Sequence, residues 1–163
     1  MNGSTQSDSC PVAFFITWTT YGTWLPGDPR GWRKMNAGEK LPQPKLYDWC
    51  SARLTDTPVF LSGIHREKVA AVIRQHAEHR NWRMHALAVR SNHIHIAIEA
   101  DAKPETVTRQ LKANATRVLR FGVEAIVAKK IWTVGGYAEL VYTDDELEDV
   151  MTYINESQDN WVR

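Results

Sequence analysis

Apolar and β-branched residues crowd residues 13–24, AFFITWTTYGTW, a composition that suits a pleated, half-buried surface and predicts a first strand. Over residues 25–62 the periodicity is lost, and Pro26, Pro29, Pro42, Pro44 and Pro58 interrupt both helix and ladder hydrogen bonding. An irregular insertion of this length in a compact domain points to a binding loop or a partly disordered one. Val69, Val72, Ile73 and Ala77 then recur at helical spacing within residues 65–80, with Arg74, Glu78 and Arg80 elsewhere, as in an amphipathic helix. Residues 82–89 and 93–99 read as two strands joined by the polar turn Arg90-Ser91-Asn92, and the second strand has the cleanest alternation in the chain. Pro104 opens another helix, in which Val107, Leu111, Ala115, Val118 and Leu119 form one stripe and Thr108, Lys112 and Arg117 fall off it. After Gly135-Gly136, residues 137–142 read as a short last strand. Thr143 and Glu146 have capping-box spacing and start a helix holding Leu147, Val150, Met151 and Ile154. The order β-α-β-β-α-β with an appended helix predicts an α+β, ferredoxin-like antiparallel sheet, two helices covering one face and the 93–99 strand central.

Composition adds limits. With 163 residues, 43% hydrophobic and 24% charged, the chain is an ordinary globular one and is expected to form a single domain over 1–163 with a polar lead, 1–12. At this length folding buries roughly 68–70% of the exposable surface, so a core needs neither disulfide nor structural metal. Cys10 and Cys50 form no C-x-x-C or disulfide framework, which favours reduced thiols in a cytosolic protein and leaves one bridge between them open. The N-terminus has no basic start followed by an apolar stretch, and no run is long enough to span a membrane, so a cytoplasmic location is expected. The net charge of +1 gives no global argument for nucleic acid, but residues 103–130 hold seven basic residues against two acidic ones.

Candidate chemistry centres on Asn92-His93-Ile94-His95-Ile96. Alternation puts Ile94, Ile96 and Ile98 on one face and His93, His95 and Ala97 on the other, the two histidines about 7 Å apart at Cα. That spacing suits convergence on one divalent metal and is equally compatible with structural histidines. Tyr153 projects roughly 110° from the apolar stripe of its helix and is no obvious core residue. A phenol, with a reference pKa near 10, is a weak nucleophile at neutral pH, but it can attack a phosphodiester polarised by an adjacent metal. His76 and His79 are spaced to share a metal on a helix, with no third ligand evident, and Cys50 has no placed base.

Together these residues carry a resemblance. The stretch Thr17-Trp18-Thr19-Thr20-Tyr21-Gly22-Thr23-Trp24-Leu25-Pro26-Gly27-Asp28, the Asn92-His93-Ile94-His95 core, Leu111-Lys112, Trp132 with Gly135-Gly136, and Tyr153-Ile154 are similar to the single-tyrosine transposases of the HUH superfamily. The likeness is to the IS200-like and REP-associated tyrosine transposase group and runs from about Phe14 to Gln158. It implies the ferredoxin-like fold and an enzyme that cleaves and rejoins single-stranded DNA, usually beside a hairpin, through a covalent 5′-phosphotyrosine. It further implies that His93 and His95 hold Mg²⁺ or Mn²⁺ and that Tyr153 is the nucleophile; two imidazole ligands tilt the expectation toward Mn²⁺ as an efficient substitute.

The family's third ligand, a Gln or Asn four residues after the tyrosine, is Ser157 here; Gln158 is the nearest amide and Glu156 the competing carboxylate. An unbroken helix turns Gln158 about 140° from Tyr153, so it serves only where the helix ends first. Arg109, Lys112, Arg117 and Arg120, with Lys129 and Lys130, are the candidate phosphate contacts, Lys112 being nearest the active site by the family match. Trp18, Trp24 and Trp132 read as core residues before stacking platforms. Family members differ in assembly, and this sequence leaves monomer and homodimer both open. Two other functions compete with the enzyme: a non-catalytic module binding single-stranded DNA or hairpins, and a two-histidine metalloenzyme with a small-molecule substrate in a deep pocket.

Overall fold

The computed structural model describes residues 10–34 and 37–156. Its elements are β1 (Ala13–Thr19), β2 (Trp32–Lys34), β3 (Gly38–Lys40), α1 (Pro44–Ser51), α2 (Gly63–His79), β4 (Arg83–Val89), β5 (His93–Glu99), α3 (Pro104–Arg120), β6 (Tyr137–Val141) and α4 (Asp144–Glu156). The main sheet has the order β4-β5-β1-β6, all neighbours antiparallel, so the 93–99 strand is internal as the sequence predicts. Leaving aside β2, β3 and α1, the elements follow the split β-α-β pattern, with α2 and α3 as its two helices.

Alternation sorts the side chains. Ile94, Ile96 and Ile98 of β5 join Phe14, Ile16 and Trp18 of β1 beneath Val69, Ile73 and Ala77 of α2 and Val107, Leu111, Ala115 and Leu119 of α3. This is the main core, and at about 25 cal/mol per Å² of apolar surface removed from water its burial is the dominant force for folding. The opposite face carries a smaller cluster, in which Ala86, Ala88 and Ala97 form a shallow floor for Ile154 of α4, flanked by Phe15, Leu147, Val150 and Met151. Small residues on the sheet let the helix approach closely; a leucine at any of these alanines would hold it off.

Two features differ from the expected layout. The first strand ends at Thr19, because Thr20 and Thr23 turn the chain by bonding each other's hydroxyls while Gly22, at φ +74°, lies against Pro58. The 25–62 insertion is not irregular throughout: it holds the β2–β3 hairpin and the eight-residue α1, which starts at Pro44 and buries no residue fully. Short elements without an apolar stripe leave no periodic signal, which is why the pattern misses them. The insertion is anchored at its end by Val59 and Leu61, buried in the main core, and at its start by polar contacts: Asp28 pairs with Arg30 at 2.7 Å, Arg30 also donates to Thr23 O, and Gly27, at φ +84°, packs on the backbone of Gln43 and Tyr47.

Trp18 is a core residue as expected, with Trp132 edge-on to it at 6.2 Å, while Trp24 donates to Gly31 O under the Arg30 guanidinium. His76 serves the α2–α3 interface, its Nε2 meeting Gln110 Oε1 at 2.9 Å and its Nδ1 facing Asn114 Nδ2, so both of its ring nitrogens have partners within the fold. Cys10 and Cys50 are both free thiols. No helix among the described residues is long and apolar enough to cross a membrane.

Candidate active site

On the α4 side of the sheet, cross-strand neighbours form short rows. His95 of β5 stands between Ala88 of β4 and Thr17 of β1, and His93 stands beside Thr19. The two imidazoles meet edge-on with centroids 4.7 Å apart, so the i, i+2 spacing on the strand brings both to one spot. His95 is buried and His93 half-buried.

Tyr153 arrives from α4. Ile154, fully buried on the alanine floor, pins the helix, and the preceding residue is thereby swung to the flank, where the Tyr153 ring lies 5.6 Å from His95 at a steep angle. Phe15 closes the group, stacked on His95 at 5.6 Å and edge-on to Tyr153 at 5.9 Å. The tyrosine thus meets the histidine pair of its own chain, with 43% of its surface exposed and open to a substrate.

Hydrogen bonds hold each imidazole from behind. His93 Nδ1 donates to Asn92 Oδ1 at 2.7 Å, and His95 Nδ1 bonds the hydroxyl of Thr17, which itself donates to Ile94 O at 3.1 Å. Asn92 is fixed in turn, its carbonyl accepting from the amide and hydroxyl of Thr20, a residue with no exposed surface. Thr19 and Thr20 both bond Thr133, which ties the loop before β6 to the same end of the sheet. The threonines of the T-W-T-T block are therefore the backing of the histidine strand. The sequence places that block in the resemblance without a role for it, because the cross-strand register that sets Thr17 opposite His95 is not written in either strand alone.

The donor set fits a divalent cation: two adjacent imidazoles, held by outer hydrogen bonds, suit Mn²⁺ and its neighbours better than Mg²⁺, which prefers oxygen and water. Among the described residues no third His, Cys, Asp or Glu joins the pair, and Glu156 is exposed at the end of α4. Gln158 and Ser157 lie outside the described residues.

The basic candidates divide. Arg109 and Arg117 are exposed on α3, across the sheet from the histidines. Lys112 is half-buried, and its ammonium donates to Thr133 O at 2.8 Å and to Gly135 O, fastening the same loop; burial pushes its pKa below the ordinary 10.5. Arg120 and Lys130 are likewise engaged, Arg120 with the carbonyls of Ile126 and Lys129, Lys130 with Thr55.

The site thus consists of a strand-borne histidine pair facing a helical tyrosine on a ferredoxin-like sheet. The family model described as "Transposase IS200 like" matches residues 56–157, more than half of the chain, and the chain belongs to that family. The match takes in both histidines and Tyr153, while the T-W-T-T-Y-G-T-W block lies before it. A solved structure of a REP-associated tyrosine transposase bound to a REP hairpin is similar in fold, with a TM-score of 0.50 and 13% identity over 94% of this chain and 70% of that one. A transposase-assigned crystal structure from Deinococcus radiodurans R1 has a TM-score of 0.43 and 12% identity, over 88% of each chain. No curated protein matches the sequence.

Proposed function

We propose that this transposase cleaves and rejoins single-stranded DNA beside a hairpin through a covalent 5′-phosphotyrosine on Tyr153. The observation that carries the reading is the meeting of Tyr153 with His95 at 5.6 Å, His93 adjoining, on the face where Ala86, Ala88 and Ala97 form the floor under α4. Tyr153 Oη attacks the scissile phosphorus in line; the bond from phosphorus to the 3′-oxygen breaks, and the phenolic proton is exchanged through solvent for the one that the freed 3′-hydroxyl takes up. His93 and His95 would hold a Mg²⁺ or Mn²⁺ ion, which would supply charge stabilisation at the phosphate. Gln158 is assigned as the third ligand, since its side-chain amide oxygen suits either ion. Phe15 holds the phenol over the histidines, so that little orientational freedom is lost at attack.

Arg109, Lys112 and Arg117 are assigned to the DNA backbone. Arg109 and Arg117, exposed, neutralise phosphates along α3, and Lys112 keeps a third N–H donor beyond the two that hold the loop. The relative bound to a REP hairpin motivates the choice of hairpin substrate.

The test incubates protein with hairpin-containing single strands and Mn²⁺ or Mg²⁺ and looks for a denaturation-resistant adduct. An adduct that maps to Tyr153 and is lost in Tyr153→Phe and His95→Ala supports the reading. DNA binding without any adduct favours the non-catalytic binding module instead.

A further inference from the structure

We propose that the open apolar groove between α2 and α3, with Phe121 at its rim, is a subsite for an unpaired nucleobase of the DNA. The inference rests on the single-strand DNA reading above and deepens it, by naming where a base rather than a phosphate is held.

The groove has a volume of about 830 Å³, with Ile64 and Val72 of α2 on one side, Val118 of α3 on the other, and Phe121 and Val123 from the turn that follows α3. Phe121 is 71% exposed and Val123 73%, so the groove offers apolar surface that the fold itself leaves uncovered. The turn is nevertheless held firmly. Lys68 Nζ donates to Val123 O at 2.9 Å, His65 Nε2 to Glu124 O at 2.6 Å, and Arg120 Nη1 to Ile126 O at 2.9 Å. Phe121 is therefore presented in place, and little ordering is lost when a flat ring stacks on it.

Charge selects the occupant. Lys68 lines the groove, and its ammonium has two N–H donors besides the one given to Val123. Along α3, Arg109, Ala113 and Arg117 repeat every four residues, are exposed throughout, and form a row that runs on to Phe121. No Asp or Glu among the described residues lines the groove; the nearby Glu124 carboxylate accepts from Ser62 Oγ at 2.6 Å and lies 3.9 Å from His65 Nε2. A basic row leading to an aromatic ring over an apolar trough matches a single strand, which carries phosphates and base faces on one chain. An apolar protein segment would leave the arginines unmatched, and a duplex keeps its base faces stacked inside. Leu61 N donates to Ser91 O at 2.6 Å, which sets the start of α2, and with it Ile64, at the end of the sheet where β5 and its histidines begin.

Full-length wild type, Phe121→Ala and Phe121→Trp are titrated with fluorescently labelled hairpin oligonucleotides that have unpaired flanks. Matched oligonucleotides carry abasic sites in place of every unpaired base. Phe121→Ala is expected to weaken binding of the base-bearing oligonucleotide about 5- to 150-fold. The salt slope should not change, because no phosphate contact is lost. On the abasic oligonucleotide wild type and Phe121→Ala should bind equally, and Phe121→Trp should bind the base-bearing one within a few-fold of wild type. An affinity of Phe121→Ala within twofold of wild type, or an equal loss on the abasic oligonucleotide, overturns the proposal. So does a wild-type dimer in analytical ultracentrifugation that Phe121→Ala dissolves with DNA affinity unchanged, which would give the groove to a second copy of the chain. A wild type that binds neither oligonucleotide overturns the single-strand DNA reading itself and the proposal with it; binding that is indifferent to Phe121 overturns the proposal alone.

Discussion

Docking of α4 decides whether the tyrosine and the histidines share a site, and Ile154→Ala tests how that docking is secured. Ile154 is the one side chain of α4 that is fully buried; Leu147, Val150 and Met151 are only partly covered. Truncating a buried isoleucine to alanine costs about 2–5 kcal/mol, the upper end applying where the site cannot collapse. The floor here is alanine, and α4 can settle onto it only as far as Phe15 and Met151 permit, so we take about 2–4 kcal/mol. The main core lies on the other face of the sheet and makes no use of Ile154, so the loss falls on local detachment of α4 rather than on global unfolding. At a factor of ten for each 1.4 kcal/mol, the detached population rises about 30- to 700-fold. Hydrogen exchange of residues 147–156 should accelerate by that factor while the amides of β1 and β5 keep their protection. Adduct formation on Tyr153 should fall in parallel where the detached state becomes the major one. Equal acceleration in β1 and β5, or none in α4, would refute the idea that the helix is an independently docked element.

Further expectations follow from the insertion and the basic helix. Gly27→Ala adds a Cβ at 2.4 Å from Gln43 O on a residue at φ +84°, and is expected to destabilise the 25–62 insertion by about 1–3 kcal/mol, read as a lowered midpoint for proteolysis of that segment with β5 protection unchanged. For Asp28, burial alone would raise the carboxyl, but the side-chain and backbone bonds of Arg30 outweigh it and hold the pKa below the ordinary 3.8. Because the folded value lies below the unfolded one, the pair contributes stability at neutral pH and loses it as pH falls through the folded value. Carbon NMR of the Asp28 carboxyl should give a midpoint under 3.8, and a midpoint above it would contradict the pairing. Arg109→Ala and Arg117→Ala should each weaken single-strand binding and lower the salt slope by about 0.7 for each phosphate left without its arginine; an unchanged slope removes that arginine from the DNA surface.

Much of the site was legible in the sequence because its parts are local. Alternation along residues 93–99 put His93 and His95 on the face away from the isoleucines, and helical angles put Tyr153 off the stripe of its own helix; both statements need only the geometry of one element. The β-α-β-β-α-β order followed from the period of each segment, and the observed strand order is the one that pattern implies. The hairpin and helix inside the insertion were not legible, since polar anchors such as Asp28–Arg30 and the Gly27 packing stabilise them without any apolar rhythm.

What lies between elements belonged to the tertiary structure. The sequence by itself determined which side chains share a face, because covalent geometry fixes that along a strand or helix. Only folding decided that Thr17 stands opposite His95, that Asn92 is gripped by Thr20, that Phe15 packs against both imidazole and phenol, and that Lys112 fastens a loop. Each of these depends on register or on helix placement, which are set by the packing of the whole sheet against its helices, and a slip of β1 by one residue would turn Phe15 and Thr17 to the other face.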